Sequence, residues 1–107
     1  METIKFLYRY EYILIGYDEE YCKPIVRLQC RSYPVIKTTK CGVWIKRRDK
    51  KKFVNMKARK KFANATPQEA LEAFYHRKVR QKAIMLSQLD SINCAIMLAK
   101  YEMENMK

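Results

Sequence analysis

Apolar and polar side chains alternate along two stretches in the first third of the chain. The first runs from Ile4 to Leu14 with an aromatic row at every second position, and the second runs from Val26 to Cys30 with basic or polar residues between. Successive side chains of a strand point to opposite faces, so this period of two predicts two β-strands. The acidic segment from Gly16 to Glu20 predicts the turn between them.

Two shorter apolar segments predict further strands, one over Gly42–Ile45 and one over Lys52–Asn55. The charged residues from Lys46 to Lys51 then form a hairpin tip. Pro34 has no N–H to donate, so it either ends the second strand or lies on a sheet edge. A short strand or turn after the fourth strand would deliver Phe62 to the core. The prediction is an antiparallel sheet of three to five strands.

A helix start follows the sheet. Thr66 suits the N-cap, Pro67 suits the first helical position, and Glu69 completes a capping box. Since neither Gly nor Pro occurs between Pro67 and about Glu104, one helix of roughly 55 Å is expected.

These elements define an α+β fold in which a small antiparallel sheet precedes one long C-terminal α-helix. We expect a single domain, 1–107, with a sheet body over 1–65 and the helix over 66–105. A body of about 65 residues is only about 25–30 Å across, so the helix should extend beyond it.

The C-terminal half of this helix has an apolar seam with alternating spacings of four and three residues. Such a seam is typical of a short coiled coil, and it predicts self-association, as a homodimer or a larger oligomer. The alternative is a bend near Asp90–Asn93 that folds this half back onto the sheet. The seam consists of Met85, Leu89, Ile92, Ile96, Ala99 and Met103.

Charge is the strongest compositional signal. Among the 107 residues, 23 are Lys or Arg and 11 are Asp or Glu, which gives a formal net charge of +12. Such a charge favours DNA, RNA, an acidic protein or an anionic membrane surface as partner, although it could serve solubility alone. No apolar run approaches 18 residues and the N-terminus lacks signal-peptide features, so we expect a cytoplasmic protein with no membrane contact.

The basic residues form two runs. Ten of the sixteen residues from Lys46 to Lys61 are basic, and a second run, from His76 to Lys82, follows within the helix. Cations in such runs can neutralise phosphates and release condensed counterions. Trp44, Phe53 and Phe62 flank the first run; they could stack on unpaired bases, but their spacing favours core positions. The candidate nucleic-acid-binding residues are Lys46, Arg47, Arg48, Lys50, Lys51, Lys52, Arg59, Lys60, Arg77 and Arg80.

The residues that would support catalysis or metal binding are sparse. The four cysteines form no C-x-x-C pair, and the best interpretation is reduced thiols packed as small apolar side chains. With two glycines and one histidine, the chain has neither a Gly-rich phosphate loop nor a metallohydrolase motif. We therefore expect no enzyme, no metal and no cofactor.

A further pattern runs from residue 33 to residue 99. It consists of Cys41-Gly42-Val43-Trp44-Ile45, Lys61-Phe62-Ala63, Thr66-x-x-Glu69-Ala70-Leu71 and Arg77-Lys78-x-Arg80-Gln81. This pattern resembles one in small proteins of tailed phages and prophages. The resemblance implies a phage accessory protein that acts in the bacterial cytoplasm by binding a host factor, and it assigns no binding residues.

Two function hypotheses follow. The first is a non-enzymatic, basic nucleic-acid-binding module, which rests on the charge and the two basic runs. The second is a protein-interaction module that inhibits a host defence or nucleoprotein complex, of the anti-CRISPR type, which rests on the apolar seam and the phage resemblance.

Overall fold

A computed structural model describes residues 4–106. Residues 1–3 and residue 107 lie outside the described residues. The first three belong to the N-terminal segment that is predicted not to be a signal peptide. The fold is α+β, as predicted: a four-stranded antiparallel sheet precedes one long helix. The elements are β1 (Phe6–Asp18), β2 (Lys23–Thr38), β3 (Gly42–Arg47), β4 (Lys50–Asn55) and α1 (Pro67–Asn105).

The strands pair in chain order, β1-β2-β3-β4, so each is hydrogen-bonded to the next. The prediction of a turn from Gly16 to Glu20 is wrong in its first part, because β1 continues to Asp18 and the turn covers residues 19–22. Asp18 Oδ1 accepts hydrogen bonds from the Glu20 N–H at 3.0 Å and the Tyr21 N–H at 3.3 Å. These bonds stabilise the turn that follows Asp18. A register shift after Leu14 accommodates the extra length.

Pro34 lies within β2 and does not end it. The Val35 N–H donates to Lys5 O on the β1 side at 2.9 Å, so the neighbouring Pro34 nitrogen faces the opposite edge. The β2–β3 ladder pairs Val35 with Ile45 and does not reach Pro34. Pro34 pairs with Phe6 of β1 but has no ladder partner on the β3 side, so its missing N–H falls on a local edge of the sheet, in line with the second of the two predicted placements.

The core lies on one face of the sheet. Leu7 of β1, Tyr33 of β2 and Ile45 of β3 are buried there, and Ala63 and Phe62 pack on them from the segment after β4. This segment forms turns and bends, with one β-bridge between Asn64 and Tyr8. It delivers Phe62 to the core, as expected.

The aromatic row of β1 lies on the opposite face from Leu7. Tyr12 of that row is about half exposed and contacts Phe74 of α1, with ring centroids 6.5 Å apart. The core face of β1 looks like the polar face in the sequence, because its row places the charged Arg9 and Glu11 between the apolar Leu7 and Ile13.

The predicted helix start is confirmed. The Glu69 N–H donates to Thr66 Oγ1 at 3.2 Å, and the Ala70 N–H donates to Thr66 O at 3.0 Å. α1 then continues for 39 residues through Asp90–Asn93 without interruption. The chain forms two compact units, one ending at Phe74 and the other beginning at Tyr75.

The cysteine prediction needs correction. Cys22, Cys30, Cys41 and Cys94 are free, but all four are exposed, so they are not packed as small apolar side chains. Cys30 lies in β2 on the face opposite the core, and Cys22 and Cys41 lie in the loops before and after β2, so none of the three belongs to the core cluster. Within residues 4–106, no helix has the length and apolar character needed to cross a membrane.

Candidate nucleic-acid interface

A groove opens where β2 and β3 separate. The β2–β3 ladder stops at Val35 and Ile45, while the β3–β4 hairpin continues to its tip. Pro34 has no N–H with which to extend the ladder, so the two hairpins diverge from this point. The resulting basic groove has a volume of about 490 Å³ and is lined by Gln29, Arg31, Ser32, Tyr33, Pro34, Lys46 and Arg48.

The groove is suited to an anion. Arg31, Lys46 and Arg48 contribute three cations, and none of the described residues that line it is acidic. Gln29 and Ser32 add neutral hydrogen-bonding groups. Arginine can bind a phosphate through two N–H groups at once, which gives orientation as well as attraction.

Arg48 occupies a strained backbone position at the hairpin tip. Its φ is 56°, in the left-handed region that glycine and asparagine adopt more readily. Any residue other than glycine or asparagine destabilises the folded chain by about 1 kcal/mol in this conformation. An arginine at this position keeps a cation at the groove despite that cost.

A second group of cations surrounds the Phe62 ring. Arg9 Cζ lies 4.4 Å from the ring centroid, Lys52 Nζ lies 4.6 Å from it and Arg47 Cζ lies 5.0 Å from it. The Phe62 ring also packs against Tyr33 of the core, with centroids 5.7 Å apart. We call these three cations and their ring the Phe62 cluster. The faces of the Phe62 ring attract each cation, but the three cations repel one another. This repulsion favours the binding of an anion beside them.

Glu11 connects Arg9 of the Phe62 cluster to Arg31 of the basic groove. Its Oε1 lies 3.4 Å from Arg9 Nε and its Oε2 lies 3.3 Å from Arg31 Nε. Arg9 also donates from Nη1 to Phe62 O at 2.6 Å. The contact of Arg31 is an ion pair without hydrogen-bond geometry, since its Nε has no hydrogen-bond partner within residues 4–106. One carboxylate therefore orients two arginines.

Replacing Glu11 with Gln is expected to strengthen nucleic-acid binding several-fold at low salt, because it removes the carboxylate that offsets Arg9 and Arg31. The free energy of unfolding should fall by less than about 1 kcal/mol, as expected for partly exposed ion pairs. Fluorescence anisotropy and urea unfolding measure the two effects. Glu20→Gln in the exposed turn is the matched control; an equal gain in that variant would contradict a local effect.

The predicted binding residues divide into four groups. Lys46 and Arg48 line the groove, and Arg47 and Lys52 contact the Phe62 ring. The exposed residues Lys50, Lys51, Arg59 and Lys60 lie in β4 and the segment after it. Arg77 and Arg80 lie in α1 within the second unit, where Arg77 is half-buried and Arg80 is exposed.

Sequence reasoning missed Arg9 and Arg31. Both stand at polar positions of the period-two patterns in β1 and β2, where single basic residues are common. Phe62, the partner of Arg9 in the cluster, is 53 residues from it along the chain. Both arginines occupy the same strand face as Leu7 and Tyr33, which pair across β1 and β2, but the sequence does not show that this face is the buried one.

The expectation of core positions for the flanking aromatics holds for Phe62 and is wrong for Trp44 and Phe53. Trp44 is 37% exposed and Phe53 is 38% exposed. They pair across β3 and β4 on the face opposite Ile45, where the core does not extend.

Comparison with protein families, with curated proteins and with solved structures finds no match for this chain. Among residues 4–106, no cluster of three or more His, Cys, Asp or Glu side chains is placed to hold a metal ion. The groove and the Phe62 cluster are therefore the features of the described residues that indicate a function.

Proposed function

We propose that this protein is a non-enzymatic nucleic-acid-binding module that holds the phosphate backbone in the basic groove. The main support is the lining of the groove, which has three cations: Arg31 from β2, Lys46 from β3 and Arg48 from the β3–β4 turn. None of the described lining residues is acidic. The net charge of +12 adds a long-range attraction to any polyanion.

The Phe62 cluster extends the proposed binding surface. Arg47 belongs to the Phe62 cluster, and its chain neighbours Lys46 and Arg48 line the groove, so the two groups of cations are adjacent. A nucleic-acid backbone that leaves the groove would therefore contact the cations of the Phe62 cluster. Each phosphate contact releases counterions, so binding should weaken steeply with salt.

The test is fluorescence anisotropy of labelled 12-nucleotide single-stranded and 12-base-pair duplex DNA from 50 to 300 mM salt. Binding with a steep negative slope of log affinity against log salt supports the proposal, because the slope is about 0.7 to 0.9 per phosphate contact. Absence of binding at 50 mM salt, or an affinity independent of salt, would reject it.

Self-association through α1 is part of the proposal. The seam residues Met85, Leu89, Ile92, Ile96 and Met103 are each at least half exposed, and Ala99 is also exposed. Their four-three spacing is that of a coiled-coil seam, which supports a homodimer with two basic surfaces.

We expect a dimer by light scattering at high salt, and a monomer when Ile92 and Ile96 are both changed to Glu. Two charges in the seam would be desolvated in a dimer, which costs several kcal/mol. The matched control is Ser87→Glu with Ser91→Glu, which has the same spacing of four residues outside the seam. A wild-type monomer, or equal effects of the two pairs, would contradict this seam.

A protein-interaction inhibitor of a host defence or nucleoprotein complex is the second candidate. It is supported by exposed apolar side chains on β1 and β2, among them Leu14, Val26 and Leu28, and by the resemblance to phage proteins. A pull-down from nuclease-treated bacterial lysate separates it from the first proposal. One stoichiometric protein partner would favour it, and a clean eluate would count against it.

A further inference from the structure

We propose that Trp44 and Phe53 stack on unpaired bases, so that the preferred ligand of this module is single-stranded nucleic acid. This inference rests on the proposed function and specifies its substrate class. It concerns the face of the β3–β4 hairpin opposite the core.

Trp44 and Phe53 form an aromatic pair on that face. They are direct partners in the β3–β4 register, with ring centroids 5.3 Å apart and ring planes inclined by 54°. More than a third of each side chain is exposed. Aromatic rings at this level of exposure give bases a surface on which to stack, and every base has a flat face that can do so.

Cations lie beside the aromatic pair on the same face. Lys46 and Lys51 are partners two residues further along β3 and β4, so they point to the same side about 7 Å away. Both are exposed. The charge complements the phosphate next to a stacked base, which favours a nucleic acid over an apolar protein surface as the occupant.

Lys46 connects the aromatic pair to the basic groove. It lines the groove with Arg31 and Arg48, and it shares a face with Trp44. Because Lys46 borders both the groove and the aromatic pair, a nucleic-acid strand with its phosphates in the groove can place a base on the aromatic pair. A duplex has its bases paired and stacked internally, so it can use the cations but not the rings.

Trp44 is the only tryptophan of the sequence, so its fluorescence reports on this site alone. The experiment titrates the full chain with unlabelled 12-nucleotide oligothymidylate and with a 12-base-pair duplex, and follows tryptophan emission. Anisotropy of labelled versions of the same oligonucleotides measures affinity independently. We expect the single strand to quench Trp44 in parallel with binding and the duplex to leave the emission nearly unchanged.

Trp44→Leu is expected to weaken single-strand binding by about 5- to 100-fold, the range for loss of one stacked base, and to change duplex binding by less than about twofold. Tyr21→Leu, at an exposed aromatic in the β1–β2 turn, is the matched control. Urea unfolding of each variant verifies that the fold is retained, and Phe53→Leu provides a second route to the same site.

The outcomes separate the two proposals. Binding of both oligonucleotides with equal affinity and without quenching would reject stacking and leave the proposed function intact. Absence of binding to either oligonucleotide at 50 mM salt would reject the proposed function and stacking with it. Quenching with an equal loss of affinity in the Trp44 and Tyr21 variants would also overturn the assignment of this site.

Discussion

Changing Arg31, Lys46 and Arg48 together to Gln is expected to lower nucleic-acid affinity by about 100-fold at 100 mM salt. These three side chains supply all the cations of the described groove lining. Each phosphate contact contributes about 0.7 to 0.9 to the salt slope, so losing three should reduce the slope by about 2. Anisotropy titrations at several salt concentrations measure both quantities from one set of samples.

The matched control carries the same loss of charge at other exposed lysines. Lys23, Lys40 and Lys100 are exposed and lie outside the groove and the Phe62 cluster. Changing all three to Gln should lower affinity by only a few-fold, through the weaker long-range field. If both triple variants lost affinity equally, binding would depend on net charge, and the groove would not be the site.

Gly42→Ala is expected to reduce the free energy of unfolding by about 3 kcal/mol or more, because no space exists for the added methyl group. A Cβ at Gly42 would collide with the carbonyl oxygen of Val54 and would lie 3.0 Å from Asn55 Cα and 2.9 Å from Phe53 Cζ. Two of these three atoms belong to the backbone of β4, which cannot move without breaking the β3–β4 ladder.

The control is Gly16→Ala in β1, where a Cβ meets no atom of the described residues within 4 Å. Neither glycine has a positive φ, so the comparison isolates steric space from backbone conformation. Gly16→Ala should be neutral or stabilising by up to about 1 kcal/mol, since alanine restricts the unfolded chain. Urea unfolding measures both variants. Equal stability of the two would contradict the close β3–β4 contact.

The loss at Gly42 should also affect binding. The β3–β4 hairpin that begins at Gly42 carries Lys46 and Arg48 of the groove and Lys52 of the Phe62 cluster. A distorted hairpin would move these cations relative to Arg31 of β2. Reduced nucleic-acid affinity of folded Gly42→Ala at low temperature is therefore expected alongside reduced stability.

Local sequence signals predicted the secondary structure well. The helix start at Thr66 was readable because one residue both caps α1 and precedes a proline suited to its first turn. The bounds of the β1–β2 turn were less readable. Gly16 and Asp18 are common turn residues, but pairing with Ile25 and Lys23 across the hairpin keeps both in β1.

The candidate site was predicted in part. The basic run that contains Lys46, Arg48 and Lys52 was evident from composition along the chain. The sequence did not show that some residues of this run line a groove while others contact the Phe62 ring, because this division depends on where the β2–β3 ladder stops. Arg9 and Arg31 were missed because an arginine on a half-exposed strand has no sequence feature that distinguishes a binding residue from a solvated one.

The sequence by itself determined the element types, their order and the excess of positive charge, since periodicity, capping and composition act over a few residues. Only the tertiary structure decided which face of β1 is buried. One row of β1 offers many aromatics and the other offers only Leu7 and Ile13 beside charged residues, yet the segment around Ala63 and Phe62 covers the row with Leu7. The same long-range packing brings Arg9, Arg47 and Lys52 to one ring, since contacts across tens of residues depend on register and on ladder ends that no local pattern encodes.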